Sequence, residues 1–307
     1  MKLINVNADD VRAVLKSKAL FKIWYLIPLI YMFYRLMHKD LLRHNIKIIF
    51  RDGKAFAVPL LMYGHILRGY YYGFIRDIAH DEDFIIINGI KIRIRVKNYS
   101  IDIGSVKFKK YYETLPPLYI SQIYSLLNVK NRIVIDVGAF VGDSAIYFVL
   151  RGARRVIALE PNPEAFKEML ENIKLNNMES KIIAINAGLS SKAGRLKVWG
   201  GIKDALRTYY GIDAGGHIKS MTLSEIMKME DVSKTEQVNI VLKMDCEGCE
   251  YDVILNDYEH VKLFKEMLIE YHSNLRDLLN VLKHNFICFD IKRYNLLYCR
   301  RHKDYDV

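Results

Sequence analysis

The stretch Ile133-Val134-Ile135-Asp136-Val137-Gly138-Ala139-Phe140-Val141-Gly142-Asp143-Ser144 constrains this chain more than any other. Ile133 to Val137 is an apolar, β-branched run broken only by Asp136, the composition of a parallel strand buried on both faces. Two glycines follow, and Asp143 or Ser144 stands where a side chain can cap a helix through Ala145, Ile146, Phe148 and Leu150. A strand, a glycine turn and a helix start together make a nucleotide cradle, because glycine admits close backbone approach and the first helix amides face the ligand. Asp136-x-Gly138-x-x-x-Gly142 lacks the three-glycine spacing of a dinucleotide fingerprint.

A second anchor follows the helix. Arg154-Arg155-Val156-Ile157-Ala158-Leu159-Glu160 reads as another buried strand, ending in a carboxylate. An acidic residue there, roughly twenty residues past the first strand, is placed to accept both hydroxyls of a ribose and to disfavour a 2′-phosphate.

Asp136-Val137-Gly138-Ala139-Phe140-Val141-Gly142, then Leu159-Glu160-Pro161-Asn162-Pro163, then Leu242-Lys243-Met244-Asp245-Cys246-Glu247-Gly248-Cys249-Glu250 resemble the S-adenosylmethionine-dependent methyltransferases of the FkbM type. The third motif, K-x-D-x-E-G-x-E, is the specific one. The resemblance covers roughly Tyr119 to His284 and touches the first hundred or so residues only weakly. It implies an α/β chain with a Rossmann-like, seven-stranded methyltransferase fold that acts on an oxygen of a sugar or other small molecule. S-adenosylmethionine would then lie against Asp136, Gly138, Ala139, Gly142, Asp143, Glu160, Pro161 and Asn162. Lys181 to Asn186 reads as the third strand, and Asn186 is the candidate for the adenine edge.

The chain has 307 residues, 51% hydrophobic and 26% charged, enough for one large or two modest domains with a real core. Its 46 Lys and Arg against 35 Asp and Glu give a net charge of +11, which favours anionic partners without choosing among nucleic acid, acidic glycans and an anionic membrane surface. Four cysteines do not suggest a secreted disulfide scaffold. No secretory signal is read in Met1 to Lys18, so a cytoplasmic protein is expected, peripheral to a membrane if its apolar segment meets one.

That segment centres on Ile23 to Tyr34, between Lys22 and Arg35, in a helical region after Asn7 or Asp9. It is short of the roughly twenty apolar residues of a spanning helix, and Pro28 kinks it. Within residues 19–37 three readings stay open: a helix at the membrane interface, a helix packed on protein, and a span. Farther on, Asn45–Phe50 and Ala55–Pro59 flank a turn at Arg51–Lys54, and Leu60–Ile78 reads as a tyrosine-rich helical stretch. Asn88-Gly89 is a two-residue hairpin signal. Residues 1–117 thus form an N-terminal α+β region and 118–307 the methyltransferase domain, with the boundary near Thr114-Leu115-Pro116-Pro117. Tyr119 to Leu127 is expected to be a helix leading into the core, Leu189 to Trp199 a β-hairpin, and Gly200 to Gly216 a lid over substrate carrying Lys203, Asp204, Arg207, Tyr209 and Tyr210.

The reaction centre is expected where two core strands end. Side chains two apart on a strand share a face, so Lys243 pairs with Asp245, and Glu270 with His272. At the carboxyl ends of neighbouring strands they converge beside the glycine turn, where open α/β sheets bind ligands. An acceptor hydroxyl needs a base; His272 suits by its ordinary pKa and Asp245 by position. Asp245 with Glu270 or His272 could instead hold Mg²⁺ or Mn²⁺, a cofactor that no motif requires. Cys246-x-x-Cys249 has the spacing of a metal or redox site, and Cys288 and Cys299 could complete four sulfur ligands. Against this, the first two occupy variable positions of the third motif and the second pair is spaced unlike a zinc knuckle; a disulfide stays open. The acceptor is expected to be a small molecule or glycan, lipid-linked if the apolar helix meets membrane. The alternatives are a nucleic-acid methyltransferase, or an inactive basic module for membrane or RNA on this fold.

Overall fold

The computed structural model describes residues 4–7, 45–71, 73, 75–95, 100–112, 114–199, 209–212, 215–229 and 239–302. The chain divides into two compact units, Met1–Gln122 and Ile123–Val307. The whole apolar run at 19–37 and the lid residues Lys203, Asp204 and Arg207 lie outside the described residues. No helix among the described residues is long and apolar enough to cross a membrane.

In the first unit, β1 (Ile4–Asn7) runs parallel to β2 (Asn45–Ile49), and β3 (Ala55–Pro59) pairs antiparallel with β2. Asn7, expected before a helix, is therefore the last residue of a strand. Helix α1 (Leu60–Tyr71) is shorter than the expected Leu60–Ile78 stretch, because Ile78 opens β4 (Ile78–His80). β4, β5 (Ile85–Ile87), β6 (Ile90–Arg95), β7 (Ser100–Ile103) and β8 (Val106–Phe108) form a five-stranded antiparallel meander. Asn88 and Gly89 join β5 to β6 with φ 49 and 80, the paired positive values that such hairpins require. No helix spans Tyr119–Leu127. A π-helical turn, Pro116–Ile120, ends at Ser121, and Gln122 takes φ 51, which stops a right-handed helix.

The second unit is built on β9 (Ile133–Val137), α2 (Asp143–Leu150), β10 (Arg155–Leu159), α3 (Pro163–Leu175) and β11 (Ile182–Ile185). An excursion follows: β12 (Ala187–Leu189), β13 (Gly194–Trp199), β14 (Tyr209–Ile212), β15 (Ile218–Met221) and α4 (Leu223–Met227). Then come β16 (Ile240–Met244), α5 (Cys249–Asn256), α6 (Tyr258–Val261), β17 (Glu266–Glu270), α7 (Leu275–Leu282), β18 (Phe286–Ile291) and β19 (Leu296–Arg301). Seven strands form one sheet in the order β11-β10-β9-β16-β17-β19-β18, with only β19 antiparallel to its neighbours. This is the Rossmann-like α/β sheet that the resemblance implied. The strand order reverses between β9 and β16, which run parallel, so a crevice opens at their carboxyl ends. The strands there are wholly buried: Ile133, Val134, Ile135, Val156, Ile157, Val241 and Leu242 have no exposed surface.

Two local expectations are corrected, and the question left open at the cysteines is answered. Neither Asp143 nor Ser144 caps α2; Gly142 occupies the cap with φ 82 and no side-chain bond, and the Ser144 hydroxyl donates to Asp136 at 2.6 Å. Leu189–Trp199 is not a hairpin, since β12 pairs parallel with β15 and β13 pairs with β14 across 200–208, placing Tyr209 and Tyr210 on a strand. All four cysteines are disulfide-bonded, Cys246 to Cys249 and Cys288 to Cys299. The second pair sits at facing positions of β18 and β19, a register that spacing alone does not reveal. No thiolate remains to bind zinc.

Glu266, at the start of β17, holds the sheet's entry side together. Its carboxylate takes the Arg132 guanidinium at 2.7 Å, the Asn128 amide at 3.1 Å and the Tyr298 hydroxyl at 3.1 Å. The side chains of Arg132 and Glu266 are only 15% and 8% exposed. Glu266→Gln keeps the shape and leaves the guanidinium unpaired, so it should lower the unfolding free energy by about 3 kcal/mol. Urea denaturation measures this, and an unchanged midpoint would contradict it.

Candidate active site

Register places the first pair of charges. Lys243 of β16 lies directly opposite Asp136 of β9, and the two side chains meet at 3.2 Å with 3% and 0% exposure. Lys243 Nζ also donates to the Gly138 carbonyl at 2.8 Å and the Val137 carbonyl at 3.3 Å. Burial alone would lower its pKa, but Asp136, Asp245 and Asp143 outweigh that and raise it above the ordinary lysine value. Lys243 is thus a buried structural cation rather than a group facing an acceptor, and Asp136 is its counter-ion rather than a surface of the crevice.

The glycine turn is shaped by its neighbour strand. Gly138 has φ +74, and a Cβ there would stand 1.7 Å from the Asp245 carbonyl oxygen. Its amide and that of Ala139 both donate to the Leu159 carbonyl at 3.0 Å. At Gly142, φ +82, a Cβ would meet Met169 Cγ at 2.9 Å, which brings α2 and α3 close together.

Glu160, just after β10, is 3% exposed. Its two oxygens accept the amides of Phe140 and Asn162, each at 2.8 Å. Burial pushes its pKa up to about 8, against those two amides and Lys243. Asn162 is also buried, and its side-chain oxygen caps α3 by accepting from the Glu164 and Ala165 amides. The Asn186 side-chain amide donates to the carbonyls of Glu160 at 2.8 Å and Pro161 at 3.2 Å, so it braces the Glu160 loop with the group expected to read adenine. Asp143 is 4% exposed in the first turn of α2. A cavity of ≈ 220 Å³ opens beside these residues, with Gly138, Leu159, Pro161, Ala187, Gly188 and Cys246 among its walls. Apolar walls suit a nucleoside base, and each Glu160 oxygen keeps a second lone pair for a ribose hydroxyl. A nucleoside cofactor therefore fits the residues present.

The acidic side of the crevice gathers four carboxylates around one imidazole. Atoms of Asp245, Glu270 and His272 approach within 4.8 Å of one another. His272 Nε2 lies 3.6 Å from Glu247 and 4.0 Å from Asp245, while Nδ1 lies 3.0 Å from Glu250. Burial alone would lower the His272 pKa, but the hydrogen bond and charge of Glu250, with Glu247 and Asp245, raise it from 6.5 to about 9. His272, expected to serve as base from its ordinary pKa, is thus shifted by its carboxylate neighbours toward the protonated form. Burial and the Asp245 charge push Glu270 from 4.5 to about 8. Tyr124 places its hydroxyl 3.5 Å from Asp245 and stays a phenol, its pKa held well above 10.0 by burial and that charge. Asp245, Glu270 and His272 are the atoms that could hold a divalent ion, but such an ion would have to displace the imidazolium proton. Sequence reasoning missed Tyr124 and Glu250; only the last position of the K-x-D-x-E-G-x-E run signalled the latter.

Residues 136–288 match the family model described as the methyltransferase FkbM domain. Hexuronic acid methyltransferase AglP of Haloferax volcanii is 25% identical over 169 residues, 54% of this chain and 67% of that protein. The tRNA(Phe) (4-demethylwyosine(37)-C(7)) aminocarboxypropyltransferase of Pyrococcus horikoshii is 26% identical over 145 residues, 44% of this chain. Two of the matching relatives are spanned over only 41% and 47% of their own length. Among solved structures, Methyltransferase FkbM from Methylobacillus flagellatus is 17% identical with a TM-score of 0.39, covering 60% of this chain and 47% of that one.

The titrating groups make the second unit sensitive to alkali. The His272 pKa is raised from 6.5 to about 9, so its stabilisation is complete below 6.5 and lost as pH rises through about 9. Glu160 and Glu270 are raised from 4.5 to about 8, so the fold favours their neutral forms, and that contribution too is lost as pH rises through about 8. All three act in one direction. The melting temperature should fall from about pH 6.5 to about pH 9.5, and the fall should be shallower in His272→Gln. A flat melting curve across that range would refute the charge assignment.

Proposed function

The chain belongs to the FkbM methyltransferase family through residues 136–288, and from that premise we propose that it is an S-adenosylmethionine-dependent O-methyltransferase acting on a hydroxyl of a saccharide or similar small molecule. The observation that carries this reading is the convergence of Asp245, Glu270 and His272 at the carboxyl ends of β16 and β17, beside the Gly138 turn. Glu160 would hold the ribose and the apolar cavity walls the base. When bound, S-adenosylmethionine supplies a methyl group on a positively charged sulfur, ready for in-line displacement.

The protein's own residues then have two tasks. They must align the acceptor oxygen and take its proton as the new O–C bond forms. His272 already carries a proton, so Asp245 is the group assigned to receive the acceptor's. Its side chain is 29% exposed, which leaves it open to the crevice, and Tyr124 and His272 steady it from two sides. Half-buried Glu247 adds negative charge at the same place, beside Glu270, which burial and the Asp245 charge hold toward its neutral form. Carboxylates this dense repel a phosphodiester and accommodate a neutral hydroxyl, which favours a saccharide over nucleic acid as acceptor. A relative named for a hexuronic acid is similar to this chain, which supports a sugar as the acceptor class.

Asp245→Asn keeps size and loses the acceptor of the proton, so methyl transfer should fall by ~10²-fold or more. Affinity for S-adenosylmethionine should stay nearly unchanged in that variant. Glu160→Ala should do the reverse, weakening cofactor binding by ~10-fold or more through lost hydrogen bonds to the ribose. Calorimetry and a methyl-transfer assay on a panel of sugars separate the two. Unaltered cofactor affinity in Glu160→Ala, or full activity in Asp245→Asn, would overturn the corresponding role.

A further inference from the structure

Glu250 has no surface exposed, yet it is a carboxylate in the first turn of α5, two residues past the left-handed Gly248. Both oxygens are in use. One accepts the His272 backbone amide at 3.2 Å and faces His272 Nδ1 at 3.0 Å. The other accepts the Gly248 amide at 2.9 Å. A buried carboxylate is retained only where donors compensate its desolvation, and here two of the three donors belong to His272. The imidazole is gripped by backbone and ring together, which leaves one orientation for it. In that orientation Nε2 faces the crevice, toward Asp245 and Glu247.

We propose that Glu250 is the positioning residue of the transfer site, gripping His272 through Nδ1 so that Nε2–H is presented to Asp245 and the acceptor oxygen. This deepens the methyltransferase reading and rests on it. In the transfer step the acceptor O–H bond breaks and its proton passes to the Asp245 carboxylate. The O–CH₃ bond forms, the S–CH₃ bond breaks, and that bond's electron pair stays on sulfur. His272 neither gains nor loses a proton; its fixed charge sits beside Asp245 and Glu270 and orients Asp245 toward the hydroxyl. The groups facing the imidazole come from every neighbouring element: Glu250 from α5, Asp245 and Glu247 from the loop after β16, and Glu270 from β17. The cation behind them, Lys243, is paired with Asp136 and with the Gly138 carbonyl.

The test compares the parent protein with Glu250→Gln, which keeps the side-chain shape, removes the charge and turns one of the two acceptor oxygens into a donor, and with Glu250→Asp, which keeps the charge and shortens the reach. Heteronuclear NMR of the His272 ring, read without any substrate, should show titration at about 9 in the parent and near the ordinary ~6.5 in Glu250→Gln. In the transfer assay Glu250→Gln should lose ~10-fold or more in kcat with little change in the KM for S-adenosylmethionine, and the alkaline limb of its pH profile should move down. Glu250→Asp should restore the alkaline limb toward that of the parent. A Glu250→Gln protein that binds S-adenosylmethionine normally and shows parental His272 titration and kcat would overturn the positioning role. Failure of the parent itself to bind S-adenosylmethionine would overturn the functional reading on which it rests, and calorimetry on the parent distinguishes the two.

Discussion

The Lys243 ammonium, buried between two core strands, is the interaction on which the site depends. Its partner Asp136 is wholly enclosed, and neither side chain has water to fall back on. Removing one member of such a pair typically costs about 3–5 kcal/mol, because the other is left as an uncompensated charge. The pair also fixes positions. From the facing register of β9 and β16 the ammonium reaches the carbonyls of Val137 and Gly138, so the glycine turn is tied to the strand that carries Asp245. Asp245 Oδ2 lies 4.0 Å from the same nitrogen. A cradle for a nucleoside and a carboxylate for an acceptor are thus held in one frame by one cation.

That frame explains which side chains remain free for chemistry. Gly138 is required by the approach of the Asp245 backbone before any ligand is considered. Ser144 completes Asp136, Asn162 caps α3, and Asn186 braces the loop of Glu160. Much of the turn region therefore serves to build the crevice. The groups left around the carboxyl ends of β16 and β17 are Asp245 with Glu247, Glu270 and His272, while Glu160, enclosed beside the glycine turn, is the one proposed to meet a ribose.

The buried strands were legible in the sequence because Ile133–Val137, Val156–Leu159 and Ile240–Met244 are near-continuous apolar runs, and a strand buried on both faces has few other compositions. Asn88-Gly89 and Asn162-Pro163 were legible because a positive φ and a helix start each demand particular side chains. The period of two along a strand was enough to bring Asp245, Glu270 and His272 together. What stayed hidden was set by partners distant in sequence. Nothing local distinguishes a catalytic lysine from one paired across two strands, nor a Ser that caps a helix from one drawn back to Asp136. The pairing of β12 with β15 rather than β13, and of Cys288 with Cys299, depends on register between segments. Glu250 was visible as a motif position, but its hold on His272 spans 22 residues and two elements.

Charge acts here on two scales, and they point in different directions. The chain carries +11, a field that draws anions to its surface but is screened over roughly 8 Å at physiological ionic strength. Inside the crevice the ionisable groups gathered around His272 are carboxylic: Asp245, Glu247, Glu250 and Glu270. An anionic polymer attracted by the surface would still meet Asp245, Glu247 and Glu270 at the reacting position. A neutral hydroxyl meets no such repulsion and finds the group that can take its proton. On the reading proposed above, a neutral acceptor would meet Asp245 beside the imidazole of His272, so that selection of the acceptor and the transfer itself would draw on the same geometry.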